Sequence, residues 1–323
     1  MGRGAVVLET IEDQINIMTY DLAIIGGGPA GVGAGVYAAR KKIRTVFITE
    51  TFVSQSTVSE NIQNWIGTVS IKGEDLTNLL EKHLRAYANG TVDIQTKETA
   101  LEIKKKGELF LVKTNKAEYT AKTVLIATGS MRKKLTVKGA EQFENKGITY
   151  CASCDAPLFG DADVAVIGGG NSAFESAAQL LAYAKSVTIL QRSDFKADPT
   201  TIERVLSDKR VTAIPQADLL EIKGDQFVKS IVYKNKKSGE TKEISVTGVF
   251  VEIGANPSTG FIKDRLVETN AAGEIIADPK TQRTSQTGIW AAGDCTDGLY
   301  KQNNIAVGDA IKALENIYNY LKA

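Results

Sequence analysis

The chain is poor in the residues that most often carry metal and acid–base chemistry. Its 323 residues include one histidine and three cysteines. A histidine-based triad would have to use His83, within Leu79-Leu80-Glu81-Lys82-His83-Leu84-Arg85, a segment that reads as a surface helix. A tetrahedral zinc site would have to join His83 and Cys295 to Cys151 and Cys154, without the ligand spacing of such sites, so no metal is expected. Three cysteines are too few for a disulfide scaffold and odd in number. They fit a reducing compartment, with one working pair and a buried bystander, Cys295. Net charge is scarce too: 39 basic against 38 acidic residues leave +1. That removes any global electrostatic case for nucleic acid or an acidic membrane. No apolar run reaches the roughly 18 residues of a membrane-spanning helix. Met1 to Ile17 carry Glu9, Glu12 and Asp13 against one base, Arg3, and lack the basic start and cleavage site of a secretory signal. A cytoplasmic protein is expected.

What is present centres on Tyr150-Cys151-Ala152-Ser153-Cys154-Asp155-Ala156-Pro157-Leu158-Phe159. A Cys-x-x-Cys pair closes to a disulfide or opens to a dithiol, and its geometry and thiolate chemistry suit exchange. Alone it is a weak signal. Here it lies between two glycine-rich loops, and that makes it specific. With no histidine near, Asp155 is the candidate general acid/base. Its other reading is a helix-capping acid just before Ala156-Pro157, and the two roles can coexist.

The first loop follows a short apolar run, Tyr20 to Ile25, read as a buried parallel strand. Gly26, Gly28 and Gly31, with Pro29 and Ala30 between them, give G-x-G-x-x-G. The first glycine makes the tight turn, the second admits a pyrophosphate, and the third lets helix pack on strand. A helix over 30–41 offers its N-terminal amides to phosphate. A second strand, Thr45 to Thr49, ends at Glu50, an acid placed to hold ribose hydroxyls. Phe52 to Gln55 and residues 60–67, which include Asn64 and Trp65, form a polar loop beside an aromatic; read alone it touches a flat ring or is an ordinary loop. A helix spans 73–89. Strands follow at 92–94, 100–103, 109–112 and 117–119, with Lys104 to Gly107 as a hairpin tip. Thr123 to Ile126 is another buried strand, ending in Ala127-Thr128-Gly129, small enough for close approach to a ligand.

The second loop follows Val164 to Ile167. Gly168, Gly170 and Ala173, with Asn171 and Ser172, give G-x-G-x-x-A. A helix over 171–184 and a strand over 187–190 complete the unit. Two such units mean two dinucleotides, and this duplication organises the chain. After the second strand come Gln191, Arg192, Ser193 and Lys196. A carboxylate there selects NAD and an arginine cluster selects NADP; a neutral residue followed by two bases splits that signal. Strands follow at 211–214, 219–222, 228–233 and 243–246, a segment over 247–254 returns to the first domain, and 287–294 end in Gly293 and Asp294 before a last helix at 303–321. Val6 to Ile17 is a loosely docked tail or a short helix.

Residues 18–323 resemble the low-molecular-weight thioredoxin reductases and the flavoprotein subunits of alkyl hydroperoxide reductase. The matching stretches are Gly26–Gly31, Ala127-Thr128-Gly129, Tyr150–Phe159, Gly168–Ala173, and Gly293-Asp294-Cys295 with Tyr300-Lys301-Gln302, in the family's order. The resemblance implies an α/β fold of two Rossmann-like dinucleotide-binding domains of the three-layer ββα type, the second inserted in the first. FAD would occupy 1–130 plus 248–323, with 1–18 as an extension; NADPH or NADH would occupy 131–247, which also carries the redox pair. It implies Asp294 on the FAD ribitol and Glu50 on its ribose, with Gln55, Asn64, Lys301 and Gln302 at the flavin and the final helix aimed at the ring. It implies electron flow from NAD(P)H through FAD and the Cys151–Cys154 disulfide to a thioredoxin, with Cys154 facing the flavin and Cys151 attacking the partner, domains that rotate, and a homodimer.

Two stretches depart from the family's pattern. Val53-Ser54-Gln55 replaces Gly-Gly-Gln, and Gln191-Arg192-Ser193 with Lys196 replaces an arginine-rich cluster. The second leaves NADH, dual use or a changed donor open. A thioredoxin-like N-terminal module is not among these residues, so a separate thioredoxin- or glutaredoxin-like partner is expected. The alternatives are a related FAD-dependent dithiol oxidase, a reductase fed by another donor such as ferredoxin, and a non-catalytic flavin-binding protein; the intact Cys-x-x-Cys-Asp argues against the last.

Overall fold

The computed structural model describes residues 19–59 and 61–323; the tail or short helix expected over Val6 to Ile17 and residue 60 lie outside them. In chain order the elements are β1 (Thr19–Ile25), α1 (Pro29–Arg40), β2 (Thr45–Thr49), α2 (Gly73–Ala88), β3 (Val92–Thr96), β4 (Ala100–Lys106), β5 (Leu109–Thr114), β6 (Glu118–Ile126), β7 (Ser130–Arg132) and β8 (Ile148–Thr149). Then come α3 (Ala152–Asp155), a 3-10 turn (Ala156–Phe159), β9 (Asp163–Ile167), α4 (Asn171–Leu180), β10 (Ser186–Gln191), α5 (Pro199–Leu206), β11 (Val211–Pro215), β12 (Ala217–Gly224), β13 (Val228–Asn235), β14 (Thr241–Ser245), β15 (Gly248–Val251), β16 (Ala255–Pro257), β17 (Ile289–Ala291) and α6 (Asn303–Lys322).

These form two compact units. One holds Met1–Phe52, Leu80–Gly129 and Thr259–Ala323; the other holds Val53–Leu79 and Ser130–Ser258. In the first, β3, β2, β1, β6 and β17 lie side by side and parallel. The amino-terminal half of β6 pairs instead with β5, and β5 with β4, as an antiparallel meander. Leu22, Ala23 and Ile24 are fully buried because both faces of β1 are covered. One face packs on α1 and α6 through Leu22, Ile24, Leu125, Val32, Ala310 and Leu314. The other packs under the meander through Ala23, Val124, Ile126, Phe110 and Val112.

The second unit repeats the plan. Its parallel sheet runs β11-β10-β9-β15-β8, and β12-β13-β14 form its antiparallel meander. Ala165, Ile167 and Val249 face the meander; Val164, Val166 and Phe250 face the helical layer with Phe174, Ala177 and Val205. Each unit is therefore helix, parallel sheet and meander, the α/β Rossmann-like architecture expected.

Several boundaries differ from the sequence reading. The strands expected at 117–119 and 123–126 merge into one long strand, β6, which starts at Glu118, because its two ends serve two different neighbours. Lys104, Lys105 and Lys106 lie on β4 itself, exposed at their side chains, so the hairpin tip begins at Gly107. Residues 248–251 form β15, whose partners are β8 and β9, so this segment completes the second sheet and the return to the first unit falls at Thr259.

The G-x-G-x-x-G turn is dictated by steric room. A Cβ on Gly31 would lie 1.8 Å from the Gly26 carbonyl oxygen. In the second unit that position is Ala173, whose methyl is accommodated in the core. Gly31→Ala is thus expected to lower thermal stability by about 1–3 kcal/mol, the usual range for overpacking. A melting temperature unchanged from wild type, in either the apo or the flavin-loaded protein, would contradict this packing argument.

Candidate functional site

Cys151 and Cys154 form a disulfide with Cα atoms 5.3 Å apart. Local backbone geometry sets the pair. Cys151 is extended (φ −143°, ψ 99°) and serves as N-cap of the single turn α3. Its carbonyl accepts from the amides of Cys154 and Asp155, at 3.3 and 3.0 Å. Ala152 between them is buried and anchors the turn in the core, while Ser153 is exposed and donates to Gln179 Oε1 at 2.8 Å. Both cysteines are half-buried, and Asn64 Nδ2 lies 3.9 Å from Cys154 Sγ.

Asp155 makes no side-chain cap to the 3-10 turn that follows it, so the capping reading is not realised. Its carboxylate instead accepts the hydroxyl of Thr149. Thr149 is buried on β8, held in register opposite Phe250. Burial pushes the Asp155 carboxyl above the ordinary carboxylate range; the Thr149 hydrogen bond and the positive charge of Arg132 pull it back. No sequence signal marks either Thr149 or Arg132. Tyr150, beside the disulfide, donates to Glu144 at 2.9 Å, and burial raises its phenol well above the usual value.

The first glycine loop sits at the carboxyl ends of β1 and β6. Gly26 has φ +121°, and a Cβ there would meet the Ala127 carbonyl oxygen at 2.2 Å. Gly28 is the N-cap of α1 and Pro29 its first residue. Gly293 has φ +77°, and its missing Cβ would meet Ala30 and Ala306 at 3.2 and 3.3 Å. Gly26, Ala30, Ala127 and Gly293 therefore converge, with the starts of α1 and α6 beside them. Gly129 has φ +68° with open space where a Cβ would be. Glu50 is exposed at the end of β2 and accepts the Thr99 hydroxyl at 2.5 Å. Asp294 and Gln302 are half-buried, Gln302 as N-cap of α6. Lys301 is engaged locally: its ammonium pairs with Glu274 at 3.0 Å and bonds the Thr296 carbonyl. Cys295 is fully buried, its thiol against the Ile126 and Ala292 carbonyls and its pKa raised by burial. Gln55 and Asn64 belong to the second unit, where Gln55 Nε2 bonds the Ser130 carbonyl at 2.5 Å.

The second loop repeats the geometry. Gly168 has φ +147°, and its Cβ would meet the Glu252 carbonyl oxygen at 2.2 Å. Gly170 caps α4 with open space beside it, and Ala173 donates to its carbonyl at 3.1 Å. Ser172 is exposed. Asn171 is committed to the structure, its Oδ1 accepting the Asp198 amide at 2.8 Å. Lys196 reaches the loop through its backbone, its amide on the Gly169 carbonyl at 2.7 Å. Gln191 folds back, accepting from the Arg192 amide at 3.1 Å and donating to Ser193 at 3.3 Å. Arg192 is exposed, and Lys236 bonds its carbonyl at 2.9 Å.

Both loops fit a dinucleotide: a strand end, a glycine where no Cβ has room, and a helix whose first amides no N-cap side chain covers. With a reducible disulfide between the loops in sequence, the class defined is a flavin- and nicotinamide-linked disulfide oxidoreductase. The chain belongs to the pyridine nucleotide-disulphide oxidoreductase family, whose profile matches residues 20–310. Enzymes of this family use FAD and NAD(P)H. The chain is 40% identical over 322 residues to an NADH dehydrogenase of Bacillus subtilis (99% of this chain, 62% of the relative). It is 38% identical over 305 residues to an Escherichia coli alkyl hydroperoxide reductase subunit (94% and 58%). It thus spans about three fifths of the length of these relatives. Thioredoxin reductase from Streptococcus pyogenes is similar in structure, with a TM-score of 0.86, 35% identity, and coverage of 94% of this chain and 98% of that one.

Thr149→Val removes a hydrogen-bond donor that lowers the Asp155 pKa. The Asp155 carboxyl is then expected to titrate at a higher pH than in wild type, as followed by carboxyl-carbon NMR with Asp155→Asn to assign the signal. A titration midpoint that stays put or falls would show that the hydroxyl does not tune the acid.

Proposed function

We propose that this chain is a thioredoxin-disulfide reductase. It takes electrons from NADPH or NADH and passes them through FAD and the Cys151–Cys154 disulfide to a thioredoxin- or glutaredoxin-like protein. The single observation that carries this reading is the closed Cys151–Cys154 disulfide with a half-buried, hydroxyl-tethered acid as the next residue. When bound, the nicotinamide and FAD supply hydride transfer and the electron pair that opens the disulfide.

The chain's own residues do the rest. FAD is assigned to Gly26, Gly28, Pro29, Ala30, Gly31, Glu50, Gln55, Asn64, Ala127, Thr128, Gly129, Gly293, Asp294 and Gln302. Lys301 supports that region through Glu274. The nicotinamide cofactor is assigned to Gly168, Gly170, Ser172 and Ala173, with Arg192 and Lys196 near its adenosine end. Cys151 attacks the partner's disulfide as thiolate, forming a mixed disulfide and releasing one partner thiolate. Cys154 then attacks Cys151, restoring the internal disulfide and releasing the second. Asp155, whose burial keeps it protonated further up the pH scale than an exposed carboxyl, hands a proton to the leaving sulfur and recovers it from the next thiol. The reading includes a cytoplasmic homodimer; among the described residues no helix is long and apolar enough to cross a membrane.

One observation favours a second reading. Gln191 presents neither the carboxylate that grips a ribose nor an arginine cluster for a 2′-phosphate. A dithiol oxidase, or a reductase fed by another donor, follows if the nicotinamide route is weak.

Cys154→Ser is expected to abolish thioredoxin reduction while leaving reduction of the flavin by nicotinamide intact; retained turnover refutes the assignment. Asp155→Asn is expected to slow thioredoxin reduction by at least about 100-fold, the lower range of general acid/base contributions. A rate within a few-fold of wild type would remove Asp155 from the mechanism.

A further inference from the structure

Glu252 is a half-buried acid that the disulfide chemistry does not use. It is the first residue after β15, and its amide donates to the Ile167 carbonyl at 2.8 Å. Strands β9 and β15 are neighbours, while β10 lies on the other side of β9. In sequence β9 continues to β10 and not to β15. The crevice between β9 and β15 is therefore the point where strand order reverses, the place where ligands bind in such sheets. At that point Glu252 lies against the glycine loop itself. A Cβ on Gly168 would meet the Glu252 carbonyl oxygen at 2.2 Å and the Glu252 Cβ at 3.2 Å.

The polar and charged groups around this carboxyl come from two elements. Ser176 on α4 donates to Oε1 at 2.7 Å. Arg132 on β7 contributes a positive charge and Glu175 on α4 a negative one, without a direct ion pair to Glu252 among the described residues. Arg132 also acts on Asp155, so its charge is shared between two acids. Burial outweighs these influences and raises the Glu252 pKa above the ordinary glutamate range. A dianionic pyrophosphate laid on the Gly168–Gly170 loop adds further negative potential to a site of low dielectric, and an ionised carboxylate beside it costs binding energy.

We propose that Glu252 couples pyridine nucleotide binding to proton uptake: the nucleotide's pyrophosphate is accepted with Glu252 neutral, and the ionised form weakens binding. The inference rests on the nicotinamide route of the proposed function. The sign follows from linkage. The bound state holds the proton more tightly than the free state, so affinity is full below the free-state pKa. It falls as pH rises above it, by at most about tenfold per pH unit for a single proton.

The test is calorimetric titration of the full-length, FAD-loaded, oxidised protein with NAD⁺ and, separately, NADP⁺ across the acid-to-neutral range. Two buffers of different ionisation enthalpy report proton uptake directly. Wild type is expected to take up protons on binding and to lose affinity as pH rises. Glu252→Gln, of the same shape and neutral at every pH, is expected to bind without that slope and without the Glu252 share of proton uptake. Comparing the two proteins cancels the titration of the NADP⁺ 2′-phosphate itself. Ser176→Ala removes a donor that favours the ionised form, and is expected to move the loss of affinity to higher pH. An identical pH slope in wild type and Glu252→Gln, or a downward shift in Ser176→Ala, overturns the inference while leaving the nicotinamide route standing. Failure of wild type to bind either nucleotide at any pH overturns both.

Discussion

The absence of one side-chain atom governs both halves of this protein. At Gly26 and at Gly168 a Cβ would lie 2.2 Å from the carbonyl oxygen of the residue just past a neighbouring strand, Ala127 after β6 and Glu252 after β15. Only glycine lets the chain leave the strand at positive φ and enter a helix with its first amides uncovered. From that turn follow the placement of α1 and α4, the covering of one face of each parallel sheet, and the location of each nucleotide face at the strands' carboxyl ends. The antiparallel meander on the opposite face completes the burial and leaves the loop face free for ligand. Two copies of this arrangement give the chain two glycine loops of the same design.

The redox pair is built on the second copy, and its chemistry depends on a short-range economy of structure. The Cys-x-x-Cys turn is fixed by two amides on one carbonyl and by the burial of Ala152. The acid that follows is held from β8, where Thr149, in register with Phe250 of β15, donates to Asp155. Arg132 bears on both Asp155 and Glu252. The protonation of the disulfide's acid and that of the acid beside the glycine loop thus answer to a common charge.

Much of this is legible in the sequence because it is local. A short apolar strand, a glycine triplet at fixed spacing and a following helix are contiguous, and both occurrences lie where the pattern puts them. The long strand β6 reads as two because its apolar pattern changes where its partner changes from β5 to β17. Helix α5 escapes the sequence reading although Asp198 and Pro199 form an ordinary start signal; Asp198 accepts the Thr200 amide at 2.9 Å. Strands β7, β8 and β16 span two or three residues each, too few for any periodicity to show. The site's supporting residues are illegible for another reason. Ser176 and Glu252 are 76 positions apart, and Asn64 and Cys154 are 90 apart. Only folding brings such partners together. The reading of Asp155 as a cap fails because a buried hydroxyl competes for its carboxylate.

The proposed path of electrons runs from nicotinamide through flavin to the Cys151–Cys154 disulfide. The most direct test is anaerobic titration of the FAD-loaded protein with NADH or NADPH, followed by flavin absorbance and by thiol counting. Electron flow by this route requires bleaching of the flavin by at least one of the two nucleotides, uptake of one equivalent for the flavin and a second for the disulfide, and the appearance of two new thiols per chain. Flavin that bleaches with dithionite or a reduced thioredoxin, yet with neither nucleotide, would contradict it and point to another donor or to dithiol oxidation.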